Sequence, residues 1–294
     1  MYHRDIVISV SACLFMALSS CSVPQLREAQ RVVAQADSLW HEGKMYGVDD
    51  GDSATLAQAY ETFGKYSVFS IQFSDTYAHA CYHYGKLLRA KDDPVSAMQA
   101  FINATHSRTR DYHILGRVYS NMGDIAHLAN EFQLSYDMFE HAADIFDQNL
   151  DSVNHSYAVY RMAYAKAELA DSTSCLTLIN RIKNISNYQD YISITKAELY
   201  IKCHVFDSAI YYADLLINSN LYTPTCALIK AQAYDDLGRK DSALLYANIL
   251  LDTPDASYQN KFNTLYVVLH NDSDLTAEDI NSYFPAVTEW VVLT

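Results

Sequence analysis

The sequence is poor in the residues that shape tight turns, with 8 glycines and 5 prolines among 294 residues. An all-β sandwich or barrel needs many tight turns and uses both residue types to make them. So small a supply therefore argues against an all-β fold and favours helices.

Positive charge is also scarce. The chain carries 21 Lys and Arg against 35 Asp and Glu, which gives a formal net charge of −14. Binding to nucleic acid depends on clustered basic side chains that neutralise phosphates. We therefore expect no nucleic-acid partner.

Motifs that carry chemistry are missing. The chain contains no nucleotide-binding glycine loop, serine-nucleophile elbow, paired zinc-histidine motif or calcium loop. His79 and His83 lie four residues apart on one expected helix and could share a metal. No third ligand is evident near them in the sequence, so we prefer the interpretation of a solvated helix face. The sequence predicts no catalytic residue, no metal and no cofactor, and hence a protein that is not an enzyme.

The cysteines match no zinc or redox motif. Apart from Cys13 and Cys21, the chain has four cysteines with spacings of 94, 28 and 23 residues: Cys81, Cys175, Cys203 and Cys226. All four fall in expected helices, where a small apolar side chain serves equally well. We favour core thiols, and the sequence leaves open whether any of them form disulfides.

The N-terminus has the features of a secretion signal. Arg4 lies in a short leading segment, and Ile6–Leu18 is a run of 13 residues without a charged side chain. That run is too short to span a bilayer, so a cleaved signal is favoured. The segment Leu18–Cys21 that follows resembles the bacterial lipobox. The resemblance implies that residues 1–20 are removed, that Cys21 is acylated, and that the mature chain is lipid-anchored in the cell envelope, facing the periplasm.

The chain also repeats itself. When the sequence is shifted by 34 residues, identical residues coincide in two segments: Lys196-Ala197 with Lys230-Ala231, Tyr200 with Tyr234, Asp207-Ser208-Ala209 with Asp241-Ser242-Ala243, Tyr212-Ala213 with Tyr246-Ala247, and Leu216 with Leu250. A fixed period of this length indicates a stack of helical hairpins.

The period and the residues within it resemble the tetratricopeptide repeat (TPR) family. Small and aromatic residues recur as that family requires, in one repeat at Gly85, Ala97, Phe101 and Ala104 and in the next at Gly123, Ser135, Phe139 and Ala142. Weaker units follow around Ala163, Ala197 and Ala231, and these three keep one constant phase. The earlier units are spaced more widely, which implies longer helices or loops there.

The resemblance implies an all-α fold: a right-handed superhelical array, or α-solenoid, of about five to six TPR-like hairpins. We expect an N-terminal helical pair over residues 21–67, built from Gln25–Tyr46 and Ser53–Ser67. The repeat array would then occupy residues 68–269, and a short C-terminal helix or tail would occupy residues 270–294.

In the TPR family, fixed positions of each first helix line a concave peptide-binding groove. Carried onto this chain, the resemblance implies that the following residues line it: Tyr82, Lys86, Arg89, Arg117, Asp124, Tyr157, Tyr160, Tyr164, Tyr191 and Glu198. Tyr157, Tyr160 and Tyr164 are the clearest feature, because tyrosine combines apolar area with a hydrogen-bonding tip. The same spacing also suits a core stripe.

Three functions are compatible with these features. The first is a protein- or peptide-binding TPR scaffold at the cell envelope. The second is a sensory or regulatory accessory protein, similar to the extracytoplasmic repeat regions of membrane-bound regulators. The third is a glycan-binding outer-membrane lipoprotein, which we rank last because such proteins are usually longer and this chain has only 2 tryptophans.

Overall fold

The structure, a computed structural model, describes residues 24–41, 50–66, 71–216, 221–253 and 257–271. These residues form α-helices and one short 3-10 turn, with no strand among them, as predicted. The expected signal segment and Cys21 lie outside the described residues. So do residues 272–294, which make up most of the expected tail. The helices divide between Asp151 and Ser152 into two compact units.

Unit 1 contains six helices: α1 (Pro24–His41), α2 (Asp50–Tyr66), α3 (Ile71–Ala90), α4 (Pro94–Thr105), α5 (Tyr112–Leu128) and α6 (Phe132–Gln148). Consecutive helices pack on each other, and α1 packs on both α2 and α3. Local signals set the helix starts. The side chain of Asp93 accepts a hydrogen bond from the Ser96 backbone N–H, and Pro94 occupies the first turn of α4, where its missing N–H costs nothing.

Unit 2 contains α7 (Ser152–Glu168), α8 (Ser172–Ile179), the 3-10 turn Ser186–Tyr188, α9 (Gln189–Lys202), α10 (Phe206–Asp214), α11 (Thr223–Asp236), α12 (Lys240–Leu251) and α13 (Tyr258–Asn271). The helices α7 to α12 pair as three hairpins, and α13 packs on both α11 and α12. In unit 1, α3 pairs with α4 and α5 pairs with α6. The described residues thus contain five TPR-like hairpins, which confirms the predicted helical-hairpin solenoid.

Small residues mark the closest helix contacts. A Cβ atom built on Gly85 would lie 2.5 Å from the ring of Phe101, and one on Gly123 would lie 2.6 Å from the ring of Phe139. Both rings are completely buried. Only glycine lets the paired helices come this close, so the glycine and the aromatic residue of each repeat form one packing unit.

The same two positions change together along the chain. In the later repeats, the glycine becomes Ala197 and then Ala231, and the aromatic residue becomes Ala213 and then Ala247. All four alanines are fully buried in the cores of their hairpins. Where the first helix carries alanine instead of glycine, the second helix carries alanine instead of phenylalanine. The two helices can therefore still pack closely.

Tyrosine pairs fill the remaining space in the last two repeats. The rings of Tyr200 and Tyr212 stack with centroids 5.6 Å apart at 12°, and those of Tyr234 and Tyr246 do so at 5.6 Å and 13°. The first pair becomes the second when the chain is shifted by one repeat, so the repeat is present in the geometry as well as in the sequence.

The turn inside each hairpin repeats as well. Its central residue has a left-handed backbone, with φ between 57° and 68°, at Asp92, Asn130, Ala170, His204 and Gly238. Each turn is closed by a hydrogen bond from the next residue to the carbonyl five residues back in the helix, for example from Val205 N to Tyr200 O at 2.9 Å. This closure is the Schellman motif. Its positions follow the predicted repeat phases, because the first turns are more widely spaced and the last three are evenly spaced.

The four cysteines of the described region are buried and free of disulfide bonds. Cys175 and Cys203 nevertheless face each other, with their Sγ atoms 2.7 Å apart. The burial of all four agrees with the interpretation that they fill the core. Among the described residues, no helix is both long and apolar enough to cross a membrane.

Candidate functional site

Unit 2 contains an apolar pocket of about 440 Å³ whose lining includes three of the predicted groove tyrosines. Tyr157, Tyr160 and Tyr191 lie in its wall. Its complete lining is Val153, Asn154, Ser156, Tyr157, Tyr160, Ile182, Ile185, Tyr188, Tyr191, Ile192, Thr195 and Tyr222. We call this the tyrosine pocket.

The pocket exists because the two helices of the third hairpin differ in length. The helix α7 has 17 residues and α8 has 8, so they are about 25 Å and 12 Å long. In an antiparallel hairpin the short helix covers only the C-terminal part of its partner. The segment after α8, carrying Ile182, Ile185 and Tyr188, lines the pocket together with the N-terminal half of α7.

The tyrosines of α7 follow one face of the helix, since spacings of three and four residues bring side chains together. The ring centroids of Tyr157 and Tyr160 are 6.4 Å apart, and those of Tyr160 and Tyr164 are 6.1 Å apart. Tyr164 lies beyond the pocket, where the Lys202 ammonium sits 4.5 Å from its ring centroid. Two of the three tyrosines therefore belong to the pocket, and the third is held by a cation.

Few polar groups lie in or beside the tyrosine pocket. The Oγ atom of Ser156 is buried and has no hydrogen-bond partner within the described part of the chain. Burial raises the pKa of the Tyr160 hydroxyl, and the neighbouring Glu198 carboxylate adds to this effect. Burial also raises the pKa of Glu198, although its hydrogen bond with Tyr160 opposes the change. The pocket thus offers an apolar cavity beside a hydrogen-bonded phenol, and the Ser156 hydroxyl is shielded from solvent.

The predicted groove residues of unit 1 form a separate cluster on α3 and α5. Arg89 Nη1 donates a hydrogen bond of 2.5 Å to Asn121 and lies 3.7 Å from the Asp124 carboxylate. Burial, together with the charges of Arg117 and Arg89, lowers the pKa of Lys86 to about 8. These four predicted residues are thus brought together, with the cations partly neutralised inside the protein.

Tyr82 differs from the prediction. Its side chain is 1% exposed and belongs to the hydrophobic core of unit 1, so it is not part of an open groove wall. Lys86 lies over the ring, with its Nζ atom 5.7 Å from the centroid. The family register places Tyr82 on the inner face of α3, but its ring packs in the core and Lys86, one turn further along, lies over it.

The two histidines of α3 also differ from the prediction of a solvated face. The His83 side chain is 6% exposed and that of His79 is 22% exposed, and both contact the Asp37 carboxylate of α1. Burial opposes a charge on His79, but hydrogen bonds to Asp111 and Asp37 outweigh it and raise the His79 pKa to about 9. Asp37 lies 42 residues from His79 in the sequence, so no local sequence motif predicts the contact.

Several pocket residues were not predicted from the sequence. Ile182, Ile185 and Tyr188 lie between helices, where the repeat register gives no guidance, and Tyr222 precedes α11. A signal was nonetheless present: the constant repeat phase leaves a connection after the second helix in which Ile182, Ile185 and Tyr188 recur at a spacing of three residues. Ser156 carries no distinguishing sequence feature.

No protein-family model matches the chain, and no curated protein matches it either. Among solved structures, it is similar to PilF of Pseudomonas aeruginosa, a TPR-containing protein. The two share 14% sequence identity with a TM-score of 0.56, over 83% of this chain and 99% of the other. At this identity the likeness concerns the fold, and together with the hairpins described above it establishes a TPR-like helical-repeat architecture.

Proposed function

We propose that this protein is a non-catalytic scaffold that binds a peptide segment of a partner protein, and that the tyrosine pocket seats an apolar or aromatic part of that segment. The TPR-like fold supports a role in protein–protein interaction. The tyrosine pocket is the observation that carries the proposal further, because it combines enclosure with the residue type most typical of recognition sites.

The size and lining of the pocket fit such a ligand. Its volume of about 440 Å³ lies within the range of roughly 300–1,000 Å³ usual for ligand sites. Tyr188 and Tyr191 are 46% and 41% exposed, so they can exchange water for a ligand surface. Tyrosine loses little conformational entropy on binding, which makes the apolar contact efficient.

The experiment is a selection of displayed random peptides on the purified chain, followed by measurement of binding for the enriched peptides. We expect peptides with large apolar or aromatic residues to be enriched. Tyr188→Ala combined with Tyr191→Ala should weaken binding at least 10-fold, which corresponds to about 1.4 kcal/mol.

Tyr211→Ala is the matched control, because Tyr211 is 60% exposed on α10 and does not line the pocket. It removes the same side chain from the same unit and should leave binding unchanged. If the double variant and the control bound the selected peptides equally well, or if no such peptides were enriched, the proposal would be wrong. Circular dichroism checks that both variants keep their helices.

We further propose that the scaffold is held at the cell envelope by lipid on Cys21, facing the periplasm. The support is the lipobox-like segment Leu18–Cys21 behind an uncharged run. Acyl chains contribute about 0.8 kcal/mol per buried methylene, so more than one chain gives durable anchoring. Fatty-acid labelling in bacteria should mark the wild-type chain and not Cys21→Ser. Equal labelling of the two would exclude Cys21 as the lipid site.

A further inference from the structure

Three side chains of metal-binding type meet in unit 1. Asp37 Oδ1 of α1 lies 2.9 Å from His79 Nδ1 and 2.6 Å from His83 Nε2, both on α3. One ligand atom from each residue lies within 4.8 Å of the other two. Two imidazole nitrogens and a carboxylate oxygen are a donor set that Zn²⁺ and related divalent ions favour.

The fold holds these ligands in place before any ion binds. His79 and His83 are four residues apart on α3, so their side chains lie on the same face of the helix. The helices α1 and α3 pack directly on each other, and Ala36 and Ala80, neighbours of the ligands, are buried in one shared core. A site on two packed helices is more precisely arranged than one on loops.

A second carboxylate orients one of the histidines. Asp111 Oδ2 lies 2.9 Å from His79 Nε2, while its other oxygen caps α5 by accepting the backbone N–H groups of His113 and Ile114. The Nε2 side of His79 is thus taken up by Asp111, and Nδ1 is directed at Asp37. Metal-binding histidines are usually fixed in this way by a carboxylate on the far nitrogen.

The charge of this cluster and its access to solvent also suit a divalent ion. The carboxylates of Asp37 and Asp111 balance the charge of a divalent ion when both imidazoles are neutral, so binding of the ion displaces the proton that these carboxylates stabilise on His79. The Asp37 and His79 side chains are 30% and 22% exposed, which gives an ion a route in, whereas His83 at 6% is shielded from water. The arrangement combines an open side with a buried ligand.

We propose that Asp37, His79 and His83 bind a divalent transition-metal ion, for which Zn²⁺ is the best match, and that Asp111 positions His79. Bonds of about 2.0–2.2 Å in a tetrahedron would require the ligand atoms to separate by roughly 0.4–1 Å from their hydrogen-bonded distances, which side-chain rotations achieve. Three protein ligands leave a fourth tetrahedral position for water or for a group of a bound partner. This inference is independent of the tyrosine pocket.

The test uses purified full-length chain in detergent, freed of metal with a chelator and titrated with Zn²⁺ in a calorimeter. We expect saturable binding of one Zn²⁺ per chain and a visible absorption band when Co²⁺ replaces it. Asp37→Asn and His83→Gln should each weaken Zn²⁺ binding at least 10-fold. His106→Gln, which changes an exposed histidine in the same unit, should not alter it.

Asp111→Asn provides a variant that keeps both the fold and the ligands. Asparagine caps a helix as well as aspartate does, but it removes the charge facing His79. We expect 10- to 100-fold weaker binding at the same stoichiometry, as is typical when such a supporting carboxylate is lost. Unchanged affinity would contradict the positioning role.

The absence of saturable Zn²⁺ binding by the wild-type chain would overturn the site, as would equal affinity in the wild type, Asp37→Asn and His83→Gln. Thermal melts with and without Zn²⁺ check folding. The ion should raise the melting temperature of the wild type and not that of Asp37→Asn. If a ligand variant does not fold, Asp111→Asn and the Co²⁺ spectrum of the wild type decide the outcome.

Discussion

Replacing Ala243 by aspartate is expected to lower the free energy of unfolding by about 2–4 kcal/mol. The Ala243 side chain has no exposed surface and packs in a core with Ala231, Ala247 and Val267. Aspartate is larger, so it forces α11 and α12 apart, and it carries a charge into an apolar contact. In a thermal melt, the midpoint should fall by roughly 5–15 °C.

Leu245→Asp is the matched control for this substitution. Leu245 lies two residues further along α12, and its side chain is 57% exposed. The control introduces the same charge into the same helix with a similar loss of helix propensity, and it should cost less than about 1 kcal/mol. Equal melting temperatures for Ala243→Asp and Leu245→Asp would show that the small residues do not mark the helix contacts.

The features that the sequence predicted best were the ones that repeat. Ala197 and Ala231, for example, stand out in the sequence because they occupy the same position in successive repeats, and both lie at close contacts between helices. A small residue at such a contact is required by local geometry in every hairpin. The same requirement recurs along the chain, so a single sequence is enough to reveal it.

The features that the sequence did not predict depend on contacts made once. The sequence indicated a solvated helix face for His79, because it could not show that Asp37 of an earlier, non-repeating helix would pack against it. Tyr82 was likewise assigned to a groove, although neighbouring side chains bury it. The histidine contacts depend on the helix that precedes the first repeat, and the burial of Tyr82 depends on side chains such as Lys86 that lie over its ring. Periodicity specifies neither.

The tyrosine pocket is an intermediate case. Tyr157, Tyr160 and Tyr191 follow from the repeat register, and the structure brings them together. The opposite wall arises where the pattern fails, in the connection that contains Ile185 and Tyr188. A repeat interrupted by a short second helix leaves part of the first helix uncovered by its partner, and such interruptions are therefore good places to look for binding sites in helical arrays.

Gly123→Ala should destabilise unit 1 by about 2 kcal/mol, even though alanine is the better helix former. The added Cβ atom would lie 2.6 Å from the fully buried ring of Phe139, closer than a stable contact allows.

Gly64→Ala should have the opposite effect. Its Cβ would meet Tyr77 at an ordinary 3.5 Å, so the gain in helix propensity should stabilise the protein by about 0.5–1 kcal/mol.

The cause can be isolated with Phe139→Leu, which makes room beside position 123. Urea unfolding of the two single variants and the double variant gives the coupling energy between the two residues. We expect the double variant to be more stable than the sum of the single effects predicts, by about 1 kcal/mol or more, because the clash that Gly123→Ala creates is then relieved. Additive effects, or equal responses of Gly123→Ala and Gly64→Ala, would show that glycine at position 123 is not required by the approach of α6 to α5.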